Sequence, residues 1–186
     1  MEKNYSIAIL PSESIISLIK SMKEKLAAEI GWFHSKNSVA HITICLFKVN
    51  NASIIKIKNQ LTQLCDSLEP AEIHLTELDS FPNGAFFMAP DKISKNKLLP
   101  IMKKVHHTLR GINIEKSTNP HLSIARRLSQ QKLQKAVELF PTVDLAFLCD
   151  SIVLREFDEN TKQYFVTDTF KFHNNPKEEF IQGTLF

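Results

Sequence analysis

Glycine, tryptophan, tyrosine and cysteine are all scarce in this chain of 186 residues: four, one, two and three copies respectively. With so few glycines there is no Gly-rich loop to wrap backbone amides around a phosphate, and no His-Glu-x-x-His motif stands in for it. Cys45, Cys65 and Cys149 are odd in number, far apart and set in apolar patterns, with no Cys-x-x-Cys pair among them. They read as reduced core residues, and a disulfide framework is not expected. No apolar run approaches the length of a membrane span, and Glu2 and Lys3 lead straight into a strand-like segment without the profile of a signal peptide. A cytoplasmic protein with no membrane partner is the expectation. An excess of one charge sign is missing too: 23 Lys and Arg against 20 Asp and Glu leave a net +3, a mild lean toward anionic ligands that does not by itself mark a nucleic-acid binder.

What is present is ordinary in bulk, with 43% hydrophobic and 23% charged residues, and distinctive in one repeated stretch. His41-Ile42-Thr43-Ile44-Cys45-Leu46-Phe47 and His121-Leu122-Ser123-Ile124-Ala125-Arg126 each place a histidine and a hydroxyl residue two apart in an apolar run. On a strand, alternate side chains share a face, so His41 with Thr43, and His121 with Ser123, emerge together. By the same rule Ile42, Ile44 and Leu46 pack beneath the first pair, and Leu122 and Ile124 beneath the second.

The order of elements around the two stretches also repeats. Tyr5 to Leu10 reads as a strand broken by Pro11-Ser12, and Ile15, Ile19, Met22 and Leu26 mark one face of a helix stopped by Gly31. A connection from Trp32 to Ala40 leads to the first His strand, His41 to Val49. Asn50 to Ser53 then caps a helix carrying Ile54, Ile57, Leu61, Leu64 and Leu68, closed before Pro70. After an imperfectly alternating strand from Ile73 to Ser80 and a Pro82-Asn83-Gly84 turn, Ala85 to Ala89 begins the order again. The next helix carries Leu98, Met102, Val105 and Leu109; because of Pro100 its start is expected near Leu99, with the proline in the first turn. Gly111 stands ten residues before His121, as Gly31 stands ten before His41, which points to an internal duplication.

Ser129 is placed to cap a helix with Leu133, Ala136, Val137 and Phe140, ended by Pro141. Val143 to Phe157 and Gln163 to Phe172 are strand-rich around a turn at Asp158 to Lys162. Residues 173–186 form a C-terminal tail that either frays or covers an edge. No Pro/Gly/Ser-rich linker divides the chain, so residues 1–172 are expected to form one α+β domain. It is two-lobed, with pseudo-twofold duplicated sheets, outer helices and a central cleft.

If the two free sheet faces meet, two imidazoles and two hydroxyls surround one volume. An imidazole titrates near 6.5, roughly, so one copy can accept a proton while the other donates one. Thr43 and Ser123 can then donate to phosphate oxygens, with a guanidinium such as Arg126 balancing their charge. A single strand histidine is more often structural than catalytic; the matched pair is what raises the case. By strict alternation Arg126 falls on the face opposite His121, whereas Arg127 has the favourable parity. His106 and His107, neighbours on a helix, point apart and make no shared metal site. Trp32, Phe33, Phe47, Phe81 and Tyr164 are candidates either for stacking a base or for ordinary packing.

The pair His41-x-Thr43 and His121-x-Ser123, in a duplicated α+β chain from Tyr5 to Phe172, resembles the 2H phosphoesterase superfamily. Within it, the chain is similar to the 2'-5' RNA ligases and cyclic nucleotide phosphodiesterases. Pro120 before the second histidine and Arg126 after its strand strengthen the likeness, while Lys48 stands where many relatives have a Gly-Glu turn. The resemblance implies a metal-independent enzyme without cofactor, acting on 2',3'-cyclic or 2'-5' phosphodiester bonds of RNA ends or small nucleotides. His41 and His121 would form the acid/base pair, and Thr43, Ser123 and Arg126 would hold the phosphate. A non-catalytic nucleotide or RNA-end binding module, and a structural domain with buried histidines, are the alternatives.

Overall fold

A computed structural model of the protein describes residues 1–175. Among these residues, nine strands form one curled sheet in the order β7-β3-β4-β6-β2-β1-β8-β9, with β5 paired to β2. In chain order they are β1 (Glu2–Ile9), β2 (Ile42–Asn50), β3 (Ala71–Phe81), β4 (Ala85–Pro90), β5 (Ile114–Lys116), β6 (Leu122–Ala125), β7 (Leu145–Cys149), β8 (Ser151–Asp158) and β9 (Gln163–Lys171). Four helices alternate with them: α1 (Glu13–Ile30), α2 (Asn51–Asp66), α3 (Lys92–Thr108) and α4 (Gln130–Leu139). The two lobes are β9-β8-β1-β2 and β7-β3-β4-β6, and they join where β2 meets β6 through one antiparallel pair, Ile42 with Leu122. These are the residues that follow the two histidines.

Each helix has a physical reason for its limits. Asn50 caps α2 by accepting from the Ser53 amide at 2.9 Å, Asp91 caps α3 through the Ser94 amide at 2.6 Å, and Ser129 caps α4 through the Lys132 amide at 3.4 Å. Gly31 ends α1 at φ +74°, a conformation other residues adopt only with strain, and its amide reaches back to the Ala27 carbonyl. The start of α3 corrects the expectation from Pro100: the helix begins at Lys92 and contains the proline. Pro100 and Asn96 both lie on the exposed face, so the carbonyl that the proline cannot satisfy faces water, while Leu98, Met102 and Val105 bury the opposite face.

The apolar face of α1 also differs from its expected composition. Ile15, Ile19, Leu26 and Ile30 are buried, but Met22 is only half-buried, and Lys23, 1% exposed, fills the place between Ile19 and Leu26. In α4 it is Ala136 that is buried, while Val137 faces outward.

The core is one cluster between the helices and the convex face of the sheet, containing Ile7, Ile9, Ile42, Ile44, Ile124 and Leu154 among others. Full burial of each such side chain stabilises by about 1.5–3 kcal/mol. A second set of buried residues, Ala8, Ala85, Phe87 and Val153, lies outside that cluster, on the concave face that no helix covers. The three cysteines are free and buried, as expected for core residues. After β9, the His173, Asn174 and Asn175 amides bond to the carbonyls of Cys65, Leu68 and Asp66 at the end of α2. The start of the tail is thereby tied down; its remaining residues, 176–186, lie outside the described residues.

A candidate active site on the concave face

Both His strands carry a β-bulge at the same point. The register of β1 on β2 slips between Ile7 and Ala8, and that of β4 on β6 slips between Phe86 and Phe87. As a result Ile44 and Cys45 are consecutive buried residues, and so are Ile124 and Ala125. A bulge inverts parity beyond it. Leu46 therefore does not pack beneath His41; it is half-buried and outside the core cluster, and Cys45 and Phe47 take the core positions instead. For the same reason Arg126 regains the face of His121 and Ser123, which strict alternation had denied it.

Each imidazole is oriented by the same short device. His41 Nδ1 bonds the Val39 carbonyl at 2.6 Å, and His121 Nδ1 bonds the Asn119 carbonyl at 2.8 Å. A carbonyl only accepts, so Nδ1 carries the proton in both rings and Nε2 is the nitrogen free to take or give one. Neither Nε2 has a protein partner among the described residues. Carrying the Ile42–Leu122 register one step each way sets His41 level with Ser123 and Thr43 level with His121. Two half-buried His and hydroxyl rows thus lie side by side about a pseudo-twofold axis through that pair.

The surroundings of the two rings differ. His121 is packed by two aromatic rings, Phe81 edge-on at 5.2 Å between centroids and Phe87 at 4.9 Å. His41 sits instead beside cations. Burial is the main force lowering its affinity for a proton, Arg155 adds to it, the Val39 carbonyl opposes it, and Lys23 and Arg126 contribute further lowering. His121 is also lowered, by burial first and by Arg126, against the Asn119 carbonyl. Arg126 exerts a Coulombic influence on Lys23, His41, His121, Arg155 and Tyr164. Arg127 follows in a bend at φ +57°.

Three residues belong to this region that the motif did not single out: Lys23, Arg155 and Ser6. Lys23 reaches from α1 to the Ser35 carbonyl at 3.1 Å, the Ser38 carbonyl at 2.7 Å and the Ser38 hydroxyl at 3.1 Å, pinning the connection that delivers His41. Burial pushes its ammonium down to about 8. Arg155 on β8 is 5% exposed and donates to Ser6 on β1 at 2.7 Å. Arg155, a basic residue at the end of the apolar run Ile152 to Leu154, carried a signal in the sequence; Lys23, one of three lysines between positions 20 and 25, and Ser6 carried none. Of the aromatic candidates, Phe33 and Phe47 are core residues, Trp32 is 63% exposed and packs edge-on to His34, and Tyr164 lies under Arg155. His106 bonds the Ile44 carbonyl at the bulge, whereas His107 meets Arg110, so the two do point apart.

Residues 11–161 match the family described as the 2'-5' RNA ligase superfamily. A protein of Staphylococcus haemolyticus (strain JCSC1435) named "Putative phosphoesterase SH1944" is 26% identical over 176 residues, spanning 90% of this chain and 98% of its own. The crystal structure of TT0787 of Thermus thermophilus superposes with a TM-score of 0.68 at 16% identity, covering 93% of this chain and 100% of that one. Escherichia coli LigT, crystallised in complex with NADP+, gives 0.67 at 12% identity, covering 93% and 99%. With its duplicated His-x-hydroxyl strands on a shared concave face, the chain belongs to the 2'-5' RNA ligase superfamily of 2H phosphoesterases.

Proposed function

We propose that the protein is a metal-independent phosphodiesterase that opens 2',3'-cyclic or cleaves 2'-5' phosphodiester bonds at RNA ends or in small nucleotides, with 2'-5' ligation as the reverse direction. The observation that carries this reading is the matched pair of Nδ1 to carbonyl bonds, which leaves two Nε2 atoms free on one face. Such a pair suits a displacement at phosphorus. One Nε2 takes a proton from water as its oxygen bonds to phosphorus, and the other gives a proton to the ribose 3'-oxygen as that bond breaks, leaving a 2'-phosphate. Thr43, Ser123 and Arg126 hold the non-bridging oxygens, where charge builds in the transition state.

The test is single-turnover hydrolysis of RNA ending in a 2',3'-cyclic phosphate, with and without EDTA. Replacing either His41 or His121 by alanine should lower the rate by about two to four powers of ten. Wild-type rates in both variants would refute the mechanism, and loss of activity in EDTA restored by a divalent ion would refute its independence of metal. Tight binding of RNA ends without any product would assign the chain to the binding modules instead.

A further inference from the structure

Resting on the reading that the concave face takes a phosphate, we propose that Arg155 is the anion-binding guanidinium of the cleft floor. It would hold the phosphate that His41 and Thr43 face, with Ser6 and the Tyr164 ring setting its direction. Arg126 approaches the same phosphate from the exposed side, so the two guanidinium groups would grip it from below and above.

Among the described residues Arg155 is a buried cation without an anion. It is 5% exposed, and no carboxylate oxygen lies within 4.0 Å of it among the described residues. Its partners are one hydroxyl, Ser6 Oγ at 2.7 Å, and one ring face, Tyr164, whose centroid is 5.3 Å away. Nε is buried with no hydrogen-bond partner among the described residues. The adjacent acid, Glu156, alternates to the opposite face of the strand and accepts from Lys3 at 2.6 Å. Because Ser6 accepts from Arg155, its own hydroxyl hydrogen remains available to a second acceptor. A planar fork with unused donors matches phosphate oxygens in number and geometry.

Arg155 pairs with Ser6 across β8 and β1, and Val153 pairs with Ala8, which in turn pairs with Thr43. The row of Arg155 and Ser6 therefore lies two residues along the strands from the row of Thr43, roughly 7 Å on the same face. Among the charged groups that act on His41, Arg155 is the strongest.

The pseudo-twofold relation of the two lobes supplies a control. In the second lobe β3 pairs with β4 as β8 pairs with β1: Asp79 opposes Phe87 and Phe81 opposes Ala85. Counted from the two bulges, Phe81 is the equivalent of Arg155 and Ala85 the equivalent of Ser6. The fold thus accepts an apolar ring at this place beside one histidine, and has a buried cation at the same place beside the other. Packing does not require the charge, which leaves ligand binding to account for it.

Inorganic phosphate is the probe, followed by thermal shift and by calorimetric titration of the wild type, Arg155→Met and Arg155→Lys. Without phosphate, Arg155→Met is expected to melt at or above the wild-type temperature, because an unpaired buried charge has been removed. Its phosphate affinity is expected to fall at least tenfold. Arg155→Lys keeps a charge but loses the fork, and should fall between the two; it decides the matter if the methionine variant does not fold. A wild type with no phosphate response, or variants that bind phosphate as the wild type does, would overturn the proposal. The proposed reaction fails separately: if phosphate protection depends on Arg155 but no cyclic end is opened, the anion site stands and the phosphodiesterase reading falls.

Discussion

Leu46 and Arg126 occupy equivalent places in the two halves of the molecule. Each is the first residue after a bulge in its His strand, and each pairs with the segment that leads into the other lobe's His strand, Leu46 with Glu115 and Arg126 with His34. The duplicated backbone thus presents an apolar group on one side and a guanidinium on the other, from one geometric slot.

From this equivalence follows a difference between adjacent arginines. Arg126→Ala should reduce kcat/KM on a cyclic phosphate end by about 10- to 100-fold, the loss of one charge-assisted hydrogen bond of about 1.5–3 kcal/mol. Arg127→Ala should stay within about twofold, since the residue lies in the bend beyond the strand and is exposed. Steady-state kinetics of the two variants checks the pair, and equal losses would show that total charge, not direction, matters.

The histidines make stability depend on pH in a defined sense. His41 and His121 both bind protons less readily in the fold than in the unfolded chain, so as pH falls through the ordinary imidazole range the unfolded chain takes up protons first. Stability is therefore fully present above about pH 6.5 and declines below it. The lowered carboxylates of Asp91 and Asp158 titrate only in a more acid range. Thermal unfolding between pH 7.5 and about 5 should show a falling midpoint in the wild type and a flatter profile in His41→Asn. An unchanged slope would remove His41 as a source of the effect. Bound phosphate should also flatten it, because an anion favours the imidazolium.

Two glycines in the left-handed region predict different costs. Gly84, at φ +79° in the β3–β4 turn, donates to the Phe81 carbonyl and accepts from the Leu128 amide, and a Cβ there would collide with the Leu128 backbone, including its nitrogen at 2.8 Å. Gly31, at φ +74°, has open space around the same position. Gly31→Ala should cost about 1–2 kcal/mol from the backbone alone, and Gly84→Ala more than about 3 kcal/mol, because neither backbone can move away. Urea denaturation of both variants measures the difference, and similar midpoints would contradict it. Gly84 matters to the site as well, since its turn carries Phe81 against His121.

Local pattern carried most of the architecture. The 3.6-residue spacing of Ile54, Ile57, Leu61 and Leu64, the Asn50 cap and the two matched glycines suffice to place α2 and to reveal the duplication, because they depend on neighbours within a turn or two. The sequence alone also determined that His41 and Thr43, and His121 and Ser123, share faces, since that follows from alternation over two residues. It could not determine what lies beyond a bulge, because a slip of register is settled by the neighbouring strand: Leu46 left the core and Arg126 joined the site for that reason. Nor did local pattern locate Arg155, whose place beside His41 depends on β8 pairing with β1 across about 150 residues of chain. The length of α3 lay outside its reach too, since whether a proline ends a helix depends on which face meets water. Residue type and spacing thus determined the two half-sites, and the closing of the sheet through Ile42 and Leu122 decided that they are halves of one.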